Sequence, residues 1–213
     1  MRPTPTWTAP GLLRAVVAVL VCGWCLGLGG CQAGHGPEKG SHHYSARVLT
    51  EGYPVPSVTL TDTRGQAFDL QTSPSRPVTL YFFGYTSCPQ HCSEVLSTVA
   101  EARHLLPDPD KVQVVVVSID PERDTGERLE AYLDRFDPAF IGLRGELEVV
   151  RTAAEQLGVE IGPRHPVADG YEIAHGTQVV GADRDHRARL VWLEDVTAEQ
   201  LADDLEHFLE EQQ

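Results

Sequence analysis

Hydrophobic positions change period along this chain, and each change marks an element. The run "PVTLYFFGY" at residues 77–85 is apolar at nearly every position and rich in aromatic and β-branched residues. A strand wetted on one face alternates, so a continuous run predicts a strand buried on both faces. "VQVVVVSID" at residues 112–120 has the same character and predicts a second one. Between them, "CPQHCSEVLSTVAEARHLL" places Val95, Val99, Ala102 and Leu106 at helical spacing, with Pro89 near the start, where a helix needs no N–H. "TGERLEAYLDRF" puts Leu129, Leu133 and Phe136 on one helical face, and "ELEVVRTAAEQLG" predicts a further helix stopped by Gly158.

The remaining segments are shorter. "SVTLTDTRGQAFDL" alternates around an Arg64-Gly65 turn and predicts a β-hairpin. "TQVVGA" and "RARLVWL" predict a hairpin around residues 183–186, and "TAEQLADDLEHFLEE" a closing helix with Thr197 as N-cap. Residues 159–175 carry Gly162, Pro163, Pro166 and Gly170 and are expected to be irregular. The order is hairpin, β, α, β, α, α, β, β, α. It predicts an α/β thioredoxin-like sandwich: a central mixed sheet flanked by helices, with an N-terminal β-hairpin.

The first 30 residues do not fit that domain. Arg2 and Arg14 precede the apolar run "AVVAVLVCGWCLGLGG", and no acidic residue occurs before Glu38. This is the layout of an export signal. The run spans 16 residues, short of the ~20 of a membrane span. It ends in Leu28-Gly29-Gly30-Cys31, which resembles a bacterial lipoprotein processing box and implies lipidation of Cys31. Residues 31–46 are Gly-, His- and polar-rich, including His35, His42 and His43, and are expected to be a tether. The folded domain is then residues 47–213. The expected location is the extracytoplasmic face of a bacterial membrane, with a lipid anchor.

Composition narrows the chemistry. The chain has 213 residues and a net charge of −14, which becomes −16 once Arg2 and Arg14 leave with the signal. Such a surface repels nucleic acid. Of five cysteines, Cys22 and Cys25 lie in the signal and Cys31 at its end, so Cys88 and Cys92 are the thiols of the mature domain. Outside the cytoplasm such a pair can be oxidised and persist.

Cys88 and Cys92 are four apart, not the Cys-x-x-Cys spacing of thioredoxin-type pairs. On one helical face their Cβ atoms would be ~5–6 Å apart. A disulfide needs ~3.5–4.5 Å, so it closes only across a loose first turn. Left open, the sulfurs could grip one soft ion such as Cu(I), with Zn as the other soft-ligand candidate. A helix N-terminus favours both thiolates. Two ligands are too few, and His91, His104, His165, His175, His186 and His207 are the candidates for a third. By fold analogy, the junction before "TQVV", which holds His175, faces the cysteine helix. Thioredoxin-fold oxidoreductases carry a proline there, but the last proline of this chain is Pro166.

Four segments resemble the Sco/SenC family of copper-binding assembly factors for cytochrome c oxidase. They are "FGYTSCPQHC", "VSIDPERDTGERLEAYLDRF", "FIGLRGELEVVRTAAEQLGV" and "YEIAHGTQVVGADRDHRARLVW". The resemblance implies that Cys88, Cys92 and His175 bind copper, as Cu(I) or Cu(II). It also implies that the protein helps deliver copper to the dinuclear copper centre of cytochrome c oxidase subunit II, with the upstream copper carrier unknown. Ala174 and Gly176 stand where the family has Asp and Ser, and His91 stands at a commonly apolar position. Asp120 has two readings: it holds His175 or biases the copper site, or else Asp120 and Asp124 cap the next turn and helix. Two enzymatic alternatives use the same thiols. One is a thiol–disulfide reductase keeping the oxidase's copper-ligand cysteines reduced. The other, a peroxidase, has Thr86 nearby but no matching arginine.

Overall fold

The computed structural model describes residues 42–89 and 91–213. The signal, Cys31 and residues 31–41 of the tether lie outside the described residues. The centre of the fold is a parallel pair, β4 (Val78–Gly84) and β5 (Val112–Ser118). Every position of β4 is buried, as the unbroken apolar run requires. The strands are tied by helix α1 (His91–Leu105), which packs against α4 (Ala198–Glu211). Beyond them, α2 (Gly126–Leu133) leads into β6 (Ile141–Arg144), parallel to β5. Leu129 and Leu133 of α2 lie so close over Gly142 that an added Cβ there would be 2.9 Å from each. The closing helix α4 begins with a capping box between Thr197 and Gln200.

The remaining strands complete an eight-stranded mixed sheet. The predicted hairpin is β2 (Thr59–Asp62) and β3 (Ala67–Asp69), at one edge beside β6. β9 (Val179–Ala182) pairs antiparallel with β4 and carries β10 (Arg187–Trp192) outside it. At the far edge is β1 (Arg47–Pro54), antiparallel to β10. β1 precedes the hairpin expected to open the domain, and its mostly exposed pattern gave no alternation to read. β6 is also an addition: its four residues merge into the apolar spacing of the next helix, α3 (Leu147–Gln156).

Residues 159–175 are not irregular. They form a separate antiparallel pair, β7 (Ile161–Val167) and β8 (Gly170–His175). Pro163 and Pro166 are tolerated because this ladder has only two strands and its register shifts between Ile161 and Arg164. Gly170 turns the chain at φ 129°. The end of the expected tether is packed. Asp204, 1% exposed, accepts from the backbone N–H of Ser45 and Ala46 at 3.0 and 2.9 Å, and from Trp192 Nε1 at 2.7 Å. Among the described residues no helix is long and apolar enough to cross a membrane.

Candidate metal centre

The cysteine loop leaves the C-terminal end of β4, and one carboxylate fixes its path. Asp124, fully buried, accepts from Thr86 Oγ1 at 2.6 Å, Thr86 N at 3.2 Å and Ser118 Oγ at 2.6 Å. The loop is thereby pinned to the end of β5. Arg128 of α2 adds bonds from Nε to Thr86 Oγ1 and from Nη2 to Ser87 Oγ, each 2.8 Å. The arginine absent from the linear pattern near Thr86 is thus supplied by α2. Thr125, not Asp124, caps α2, accepting from Arg128 N at 3.2 Å.

Helix α1 starts at His91, so Cys88 lies in the turn before it rather than on its face. The Cys88 sulfur accepts from the Cys92 N–H at 3.3 Å, which satisfies one of the amides a helix start leaves open. Cys92 is fully buried, and a Cβ on Gly84 would approach its Sγ to 3.0 Å. Both thiols are unbridged.

His175 arrives from the other side, as the last residue of β8. Its Nδ1 donates to Ile173 O at 2.9 Å, which leaves Nε2 facing Cys92 Sγ at 3.4 Å. One donor atom from each of Cys88, Cys92 and His175 lies within 4.8 Å of the others. Bonds of ~2.3 Å to sulfur and ~2.0 Å to nitrogen, at trigonal angles, would put donors ~3.7–4.0 Å apart around one ion. The trio therefore fits a soft ion with little movement. Burial pushes the His175 pKa down, so its imidazole is neutral at pH 7 and offers a lone pair. Hydrogen bonding with Cys88 and burial push the Cys92 thiol far up, so it keeps its proton until an ion displaces it.

The β7–β8 arm is held by side chains. Tyr85 Oη accepts from Ile173 N at 3.1 Å, and its ring meets His175 edge-on at 5.5 Å. Arg123 Nη1 donates to Tyr171 O at 2.9 Å, its guanidinium 3.7 Å over the Tyr171 ring. Asp120, fully buried, binds Arg123 Nε and accepts from Tyr171 Oη at 2.7 Å. Ile173 O, not Asp120, takes His175 Nδ1, so Asp120 touches the arm and not the imidazole. Arg151 Nη1 donates to Ile161 O at 2.6 Å from α3. Tyr85, Arg123 and Tyr171 lie in the segments that carry the family resemblance, but their linear spacing does not show that they meet.

The other histidines are elsewhere. His104 is exposed near Asp137, His165 is exposed on β7, and His186 occupies the β9–β10 turn at φ 55°. His207 stacks on His42 with ring centroids 4.3 Å apart. His91 is exposed at the start of α1.

A mixed sheet with a cysteine pair at the start of the first crossover helix and a histidine on the facing arm defines a thioredoxin-like fold with a candidate thiol and imidazole metal site. The family model described as SCO1/SenC matches residues 54–210, and the chain belongs to that family. A Stutzerimonas stutzeri protein named as copper-binding is 31% identical over 140 residues, covering 64% of this chain and 68% of that protein. The mitochondrial SCO2 protein of Saccharomyces cerevisiae is 36% identical over 102 residues, covering 47% of this chain and 34% of the yeast protein. The chain thus spans about a third of the yeast relative. Among solved structures, copper-bound ScoI of Bradyrhizobium japonicum superposes with a TM-score of 0.64 at 33% identity, covering 74% of this chain and 98% of that one. Apo Sco1 of Thermus thermophilus gives 0.68 at 31% identity, covering 79% and 98%.

Proposed function

We propose that this protein is an extracytoplasmic, membrane-anchored copper chaperone. It binds copper through Cys88, Cys92 and His175 and helps assemble the dinuclear copper centre of cytochrome c oxidase subunit II. The observation that carries the reading is the convergence of three donors from two separate elements, with Cys92 Sγ 3.4 Å from His175 Nε2. Two thiolates suit Cu(I), and the imidazole adds a donor that Cu(II) accepts. Oxidation of the pair to a disulfide would use both sulfurs in one bond and release copper, so the redox state gates cargo. Anchoring rests on the signal-like leader and Cys31.

Copper titration of the reduced chain tests the ligand set. Wild type should develop a thiolate-to-Cu(II) charge-transfer spectrum that His175→Ala alters. An unchanged spectrum in that variant overturns the ligand assignment. The second reading, a thiol–disulfide reductase for the oxidase's own cysteines, is favoured by the half-exposed Cys88 beside the fully buried Cys92. Cys88→Ser should abolish both activities, whereas His175→Ala should spare reduction.

A further inference from the structure

His91 is the first residue of α1, directly before Cys92 in the chain, and the trio does not use it. Its side chain is 62% exposed, while Cys92 is fully buried. Two carboxylates from different parts of the chain flank the same ring nitrogen: Nδ1 is 3.8 Å from Glu94 Oε2 and 3.7 Å from Glu194 Oε2. Glu194 Oε2 also accepts from Thr177 Oγ1 at 2.9 Å, two residues past His175. The start of α1, the β8–β9 connection and the β10–α4 connection therefore converge on this imidazole.

We propose that His91 is a capture ligand for Cu(II), which it holds at the rim before the ion passes to Cys88, Cys92 and His175; the proposal rests on the copper-binding reading above. Carboxylates facing Nδ1 favour the proton on that nitrogen and leave the lone pair on Nε2, the arrangement that metal-bound imidazoles use. His175 has the same polarity, with Nδ1 donated to Ile173 O and Nε2 presented. An imidazole nitrogen suits Cu(II), and thiolates bind more strongly once reached, so affinity rises inward in the right order. The step is ligand exchange. Copper stays Cu(II), the Nε2–Cu bond is replaced by bonds to sulfur, and the thiol protons leave to solvent. The two carboxylates also raise the local concentration of cations.

The test is stopped-flow mixing of the reduced full chain with equimolar Cu(II) chloride, following growth of the thiolate charge-transfer band. In His91→Val the loading rate should fall about tenfold, the scale of local steering effects on association. The final band and stoichiometry should stay unchanged. Glu194→Gln should slow loading less, and His91→Gln, which keeps the size and polarity at the helix start, should load as slowly as His91→Val. An unchanged rate in both His91 variants overturns the proposal and makes the cluster an ordinary surface ion pair. A changed final band would overturn it differently, by making His91 an equilibrium ligand. Absence of any band in wild type would instead overturn the copper-binding reading itself.

Discussion

Among the described residues, two histidine clusters bring together the donors of a metal site, and they differ in what else holds those donors. Cys88, Cys92 and His175 meet at the end of the central sheet. His42, Asp203 and Asp204 meet where the chain enters the domain, also within 4.8 Å. At the second, Asp204 accepts from two backbone amides, Trp192 Nε1 and His42 Nε2, the last at 3.2 Å. Four donors occupy the lone-pair sites of one carboxylate. Its work is structural: it fastens residues 42–46 to α4 and β10. At the first, one backbone amide, that of Cys92, reaches a donor, the Cys88 sulfur, and the nearby carboxylate Asp124 is engaged by the loop. Asp124 holds the loop, Ile173 O holds Nδ1, and Nε2 and the sulfurs face one another. Proximity makes both clusters look alike, and the hydrogen-bond inventory separates them.

The contrast can be broken most directly at Cys92. Cys92→Ser should abolish the copper charge-transfer band in titration, and any surviving band would move the site elsewhere. Next in size, Asp204→Ala should cost about 3–5 kcal/mol in urea unfolding, because buried donors lose their partner. Copper stoichiometry should not change, and a lost equivalent would make the second cluster a metal site. pH sharpens the comparison further. Cys92 is pushed up and holds its proton, while His175 is pushed down and has none to lose at pH 7. Copper affinity should therefore rise with pH by roughly tenfold per unit from the one proton that Cys92 releases on binding. A flat calorimetric profile would mean thiolates already present. The smallest effect is expected at Asp120→Asn, which loosens Arg123 and Tyr171 without touching a donor. Copper should bind about tenfold more weakly, the lower range for an outer partner of a metal ligand. Equal affinity would show that the arm holds its position without that carboxylate.

The parts of this arrangement that were legible in the sequence share a physical cause. β4 and β5 are buried on both faces, and burial on both faces writes a continuous apolar run. The capping box of α4 is local, so Thr197 and Gln200 announce it by spacing alone. The cysteine pair and His175 were found because spacing, fold order and family resemblance agreed on them. β1 was missed because an edge strand with exposed residues need not alternate. β7 and β8 were missed because Pro163 and Pro166 argue against a strand, and a two-stranded ladder escapes that rule. Arg128 and Thr86 are 42 positions apart, and Tyr171 and Asp120 are 51 apart. Such pairs exist only once the strand ends have been brought together.

The β7–β8 pair carries His175 but adds no strand to the eight-stranded sheet. It is attached through Tyr85, Arg123 and Arg151 to backbone groups of the arm. The placement of the imidazole and the durability of the scaffold are therefore adjustable separately. A lineage can strengthen or relax its hold on an ion by substituting residues on this arm while the sheet beneath keeps its thermal tolerance.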